Sequence, residues 1–149
     1  MKALIATDGT TAAITAAHGA VALLHPDLEI EIVRVIPEEE DPNDSAGGFE
    51  GPLITEEEAE AAHRADEARA QSDLESTIAA LGEPATVTVV EGNDAGREIC
   101  RLAAERNADV LVVGASDKGW FRRLVSGSVM EYAAHHAPCP VLIVRHADD

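Results

Sequence analysis

Five short runs of apolar and β-branched residues punctuate the chain: "KALIAT" (2–7), "LEIEIVRVI" (28–36), "ATVTVV" (85–90), "ADVLVVG" (108–114) and "CPVLIVR" (139–145). A stretch with helical spacing separates each run from the next. Residues 11–24 place Ile14, Ala17, Val21 and Leu24 on one face, and Pro26 stops that helix. "TEEE" (55–58) has the form of a capping box, with Thr55 facing Glu58, and opens a helix that reaches Leu81. Its stripe is Leu74, Ile78 and Leu81, and Gly82 ends it. Ala95, Ile99, Leu102 and Ala103 mark a third helix; Val129, Tyr132 and Ala133 mark a fourth. Apolar strands that alternate with helices need cover on both faces, as in a parallel sheet between two helical layers. The sequence therefore predicts an α/β fold: a three-layer α/β/α sandwich on a five-stranded parallel sheet. No internal repeat is visible, and residues 1–149 read as one domain.

A Rossmann-like open sheet of this kind reverses its winding once. With strand order 3-2-1-4-5 the reversal falls between strands one and four, and ligands bind there, beyond the carboxyl ends. Those two ends read "ATDGT" (6–10) and "VGASDKG" (113–119). From the second, a long bend bracketed by Gly114 and Gly127 enters the fourth helix through "SGSV" (126–129). Free amides at a helix start favour an anion. Gly127 lets the backbone approach closely, and Ser128 adds a hydroxyl donor. Lys118, Arg122 and Arg123 make this the densest basic patch of the chain. By themselves these residues fit a phosphate site, and fit equally a capped helix with solvated basic side chains. Trp120 and Phe121 on the same bend are expected to pack beneath it.

The net charge of −17 argues against binding nucleic acid or anionic membranes. Its distribution is uneven: residues 38–67 carry twelve acids against one base, Arg64. The acidic, Gly/Pro-rich part, 38–52, reads as a solvated and mobile surface, and a halophilic host would select the same composition. No apolar run has membrane-spanning length, and Met1-Lys2 does not open a signal peptide. A cytoplasmic protein without membrane insertion is the expectation. Cys100 and Cys139 are far apart in sequence and are expected to act as small buried hydrophobes. His135 and His136 point about 100° apart on a helix and suit its C-terminus better than a metal. No metal site is expected, and Ser126 and Ser128 lack a nucleophile elbow.

Four stretches together resemble the universal stress protein family along nearly the whole chain. They are "KALIATDGT", "VRVI", "VVEGNDAGREICRLAAERNADVLVVGA" and "GSVMEYAAHHAPCPVLIVR". The family's nucleotide motif is Gly, two residues, Gly, nine residues, Gly, then Ser or Thr. Gly114 matches its first position, and Gly127 with Ser128 its last; Asp117 stands at the second glycine, with Gly119 two residues on. The resemblance implies an adenine-nucleotide-binding fold and a ligand, ATP or AMP, with Mg²⁺ alongside ATP. It implies that Thr7 and Asp8 lie by the adenosine and that Val35 packs on the adenine. Gly114, Ser116, Gly127, Ser128 and Val129 are implied to line the phosphate side with Asp117 facing the phosphates, and Val113 is a further implied cofactor-binding residue. A carboxylate at Asp117 about 4 Å from a phosphate charge would oppose binding by roughly 4 kcal/mol at an effective dielectric of 20. A bridging Mg²⁺ would offset that. Read alone, Asp8 is also a turn residue or helix cap, and Val35 plain core.

The resemblance further implies a homodimer through antiparallel pairing of the last strand, at Val141, Leu142, Ile143 and Val144. That strand is a sheet edge without a charge in its middle, which invites pairing. The function expected is that of a regulatory adenine-nucleotide-binding protein of the stress response, acting through protein partners. A nucleotide-free interaction module of the same fold is the second reading. An enzyme, a slow ATPase or phosphotransferase, ranks last: only Asp8 and Asp117 are available, and neither has a recognisable partner.

Overall fold

The computed structural model describes residues 1–24, 26–39, 41–42, 54–115 and 129–145. Its elements alternate: β1 (Lys2–Ala6), α1 (Thr11–Leu23), β2 (Glu29–Ile36), α2 (Glu56–Leu81), β3 (Thr86–Glu91), α3 (Ala95–Glu105), β4 (Val110–Ala115), α4 (Val129–His136) and β5 (Val141–Arg145). The sheet order is β3-β2-β1-β4-β5, and every neighbouring pair is parallel. The predicted fold class and strand order are both observed. The winding therefore reverses between β1 and β4, where Ile5 pairs with Val112.

Alternation along the central strands builds two cores. Ile5, Ile30, Ile32 and Val112 pack with Ala17 and Ala20 of α1 and Leu74 and Leu81 of α2. Leu4, Val33, Val35, Leu111 and Val113 pack on the opposite face with α3 and α4. Each fully buried Leu, Ile or Val contributes roughly 1.5–3 kcal/mol. The capping box of α2 is formed: Glu58 N donates to Thr55 Oγ1, and Thr55 N donates to Glu58 Oε2. Gly82 closes that helix in the left-handed region, at φ +66°. Asp94 caps α3 by accepting from Arg97 N.

The first helix departs from its expected stripe. Its buried residues are Ala13, Ala16, Ala17 and Ala20, while Ile14 and Val21 are half-buried and Leu24 lies beyond the last turn. The reason is close approach to β4: a Cβ on Gly114 would stand 3.3 Å from Ala16 Cβ and 3.6 Å from Ala13 Cα. Only small residues on both sides allow that spacing. On α2, Leu74 and Leu81 are buried as expected, whereas Ile78 is half-buried and Thr77 takes a fully buried place. Strand β2 departs too. Glu31 and Arg34 point to opposite faces of it, and both charged side chains are buried. Cys100 is buried and Cys139 half-buried, both as free thiols, and burial pushes each thiol's pKa up.

Candidate functional site

Beyond the Ile5–Val112 pair, Thr7 on one chain segment and Gly114 on the other lie two residues further on. The residues that follow β1 make a tight turn into α1. Asp8 Oδ1 accepts from Thr10 N at 3.0 Å and from Thr10 Oγ1 at 2.6 Å. Thr10 is in turn the N-cap, accepting from Ala13 N at 3.2 Å. Gly9 makes the turn with φ +74°, and its missing Cβ leaves the space that the Asp73 side chain occupies. Both features require glycine.

Asp8 is only 6% exposed. Its second oxygen, Oδ2, is buried without a hydrogen-bond partner among the described residues. A buried carboxylate oxygen left unpaired costs free energy, so it marks a place where a donor belongs. The geometry offers one oriented carboxyl oxygen as an acceptor at the topological switch point, beside the start of a helix. Such an oxygen can receive an O–H or N–H from a ligand.

The other residues expected at the site divide in two. Val35, Val113 and Val129 come together in one buried cluster with Ala6, Val90 and Ala133. Gly114 lies half-buried against α1. Thr7 is buried, with its hydroxyl engaged by Thr77 and Gly9. Ser116, Asp117, Gly127 and Ser128, with the basic Lys118, Arg122 and Arg123, lie outside the described residues. So does most of the acidic segment 38–52.

Sequence reasoning overlooked several residues at this end of the sheet. Arg34 Nε donates to Asp73 Oδ2 at 3.2 Å, and Arg34 Nη1 donates to Val35 O at 3.0 Å. Thr77 donates to Asp73 O at 2.8 Å and lies 3.3 Å from Thr7 Oγ1. The available signals were an arginine inside an apolar strand and a threonine on the buried stripe of a helix. Near the edge strand, His63 Nε2 lies 3.5 Å from Glu91 Oε1 and 3.9 Å from Glu67 Oε1. These three could converge on a cation. Both glutamates are exposed, however, and exposed acidic groups commonly gather without an ion. His136, at the end of α4, stacks on Tyr132 with ring centroids 4.1 Å apart, and its Nδ1 lies 3.0 Å from Tyr132 O.

A family model for the universal stress protein family matches residues 1–145. The chain belongs to that family. A universal stress protein of Methanocaldococcus jannaschii is 29% identical over 148 residues, covering 97% of this chain and 81% of that protein. One from Arabidopsis thaliana is 30% identical over 81 residues, 52% of this chain. The match spans 31% of that plant protein and 34% of a second one, about a third of each relative's length. Among solved structures, an Arabidopsis thaliana universal stress protein family member with AMP bound superposes with a TM-score of 0.68. It is 18% identical, and the match covers 100% of this chain and 94% of that one. The Archaeoglobus fulgidus universal stress protein in complex with dAMP gives 0.60 at 16% identity, covering 96% of both chains. At these identities the superpositions establish a shared fold. This universal stress protein is thus built on the sheet order that its sequence anticipates, with an aspartate at its reversal point that is half-satisfied among the described residues. Among the described residues no helix is long and apolar enough to cross a membrane.

Proposed function

We propose that this universal stress protein binds an adenine nucleotide at the carboxyl ends of β1 and β4 and works as a regulatory binding protein rather than an enzyme. One observation carries the reading: Asp8 is buried, held by Thr10 through Oδ1, and left without a donor at Oδ2 among the described residues. A ribose hydroxyl supplies such a donor. Relatives of the same fold were solved with AMP and with dAMP, so adenine and a single phosphate are the common denominator. On the family's pattern, Gly114, Ser116, Gly127 and Ser128 take the phosphate side. Asp117 beside the phosphates then makes ATP binding depend on Mg²⁺, which accepts carboxylate and phosphate oxygens together. Calorimetric titration of the purified protein with AMP, and with ATP in Mg²⁺ or EDTA, tests this. Saturable 1:1 binding is expected, accompanied by nucleotide released from freshly purified protein on acid treatment. No heat from any adenine nucleotide at millimolar concentration would overturn the proposal.

The same reading includes a homodimer through β5. That strand is a sheet edge, and Ile143 on it is 38% exposed. Light scattering should give twice the chain mass, and Ile143→Lys should give the monomer. A wild type that is monomeric at tens of micromolar removes the dimer from the proposal and leaves the nucleotide site standing.

A further inference from the structure

Behind the candidate site, on the α2 side of the sheet, a chain of hydrogen bonds runs from the Asp8 turn to the backbone of Val35. Thr77 is 0% exposed and gives its only hydroxyl proton to Asp73 O at 2.8 Å. Towards Thr7 Oγ1, 3.3 Å away, it must therefore be the acceptor, and Thr7 the donor. Thr7 Oγ1 in turn accepts from Gly9 N at 3.2 Å. Gly9 follows Asp8, and the Asp73 side chain lies against it where a Cβ would stand. The Asp73 carboxylate also accepts from Arg34 Nε, and Arg34 reaches on to Val35 O. One helix residue thus touches the Asp8 turn directly and the Val35 backbone through a single arginine.

An apolar side chain at position 77 would fill its place between Leu74 and Leu81 without a hydroxyl to satisfy. Burial of Arg34 is unfavourable unless it is paired. A buried, fully connected polar network fixes geometry more than it adds stability. The ends of this one are the turn that carries Asp8 and the carbonyl of the residue expected against the adenine. We infer that Asp73 and Thr77 are positioning residues of the nucleotide site, holding Asp8 and Val35 in register from the opposite face of the sheet through Thr7, Gly9 and Arg34. This inference rests on the nucleotide site proposed above. Neither residue meets the ligand; each acts through the backbone it holds.

The test compares Thr77→Val, which keeps the shape and removes the hydroxyl, with Thr77→Ser, which keeps the hydroxyl. Ile30→Val, a buried change towards the amino end of β2, serves as a control for lost stability. AMP affinity is read by calorimetry, and exchange of the Gly9 amide in ligand-free protein by NMR. Thr77→Val is expected to weaken AMP binding about tenfold and to speed Gly9 exchange. Thr77→Ser should restore both, and Ile30→Val should change neither. Asp73→Asn, which keeps the contact with Gly9 and drops the charge facing Arg34, should weaken AMP binding similarly. Wild-type affinity in Thr77→Val, or an equal loss in Ile30→Val, would overturn the inference. A wild type that binds no AMP would defeat the proposed function instead. The Gly9 exchange rates then decide alone whether α2 holds the turn, and unchanged exchange in Thr77→Val would overturn that too.

Discussion

Glu31 and Asp8 are both buried carboxylates, 4% and 6% exposed, one towards the amino ends of the strands and the other beyond a carboxyl end. Glu31 is fully provided for. Its Oε1 accepts from Thr88 Oγ1 at 2.7 Å and Arg106 Nε at 3.0 Å, and its Oε2 lies 3.8 Å from Lys2 Nζ. Among the described residues Asp8 has donors on one oxygen only, both from Thr10. The first carboxylate ties β2 to β1, β3 and the end of α3. The second is held still and left with capacity for one more donor. The contrast separates a buried acid that holds the fold from one that, on the proposed reading, is placed for a ligand.

The largest effect should come from disturbing the Asp8 turn itself. Gly9→Ala puts a side chain at φ +74° and into the Asp73 carboxylate. Left-handed strain of about 1–2 kcal/mol and crowding of about 1–3 kcal/mol predict a loss near 3 kcal/mol by urea denaturation. A neutral Gly9→Ala would mean the turn yields, and that Asp8 is not rigidly held. Next comes Glu31→Ala, which strips Thr88 and Arg106 of their shared acceptor. A loss of about 2 kcal/mol is expected, with AMP affinity unaltered. Weakened AMP binding in that variant would break the division between the two ends.

Asp8→Asn should show the reverse pattern. It keeps the Oδ1 bonds to Thr10 but replaces the unpaired acceptor by a donor. AMP affinity should fall about tenfold or more, while the melting temperature moves little. Unchanged affinity would show that the free oxygen does not face the ligand. The smallest effect is in pH dependence. Burial works to raise the Glu31 pKa, but the Thr88 and Arg106 hydrogen bonds and the charges of Arg106 and Lys2 outweigh it and hold it below the ordinary value of 4.5. Its contribution is therefore complete above that value and lost as pH falls through the lower, folded one. Acid titration of stability should be steeper below about pH 4.5 in the wild type than in Glu31→Gln. Identical acid limbs would show that Glu31 gains nothing from its partners.

The carboxylate contrast was not legible in the sequence. Asp8 could be picked out, since "DGT" follows an apolar run at the end of a strand, but nothing in those letters shows which oxygen is satisfied. Glu31 sits in an alternating stretch where a charge ordinarily faces solvent. It is buried because Arg106 and Thr88 arrive over it. The alanine face of α1 was hidden for a related reason. Larger Ile14 and Val21 look like the stripe, and only the closeness of Gly114 selects the small residues instead.

The sequence by itself determined the order of elements, the parallel sheet and the family, because each rests on local, repeating information. Strand runs, helical spacing, the Thr55–Glu58 capping box and the Gly114, Gly127 and Ser128 motif are all short-range patterns. The tertiary structure alone decided how the buried charges are matched. Arg34 meets Asp73 across 39 residues of chain, Glu31 meets Thr88 across 57 and Arg106 across 75, and Thr7 meets Thr77 across 70. Such pairs depend on strand register and on how each helix is rotated over the sheet. Both are set by packing of the whole core, so no spacing in the sequence records them.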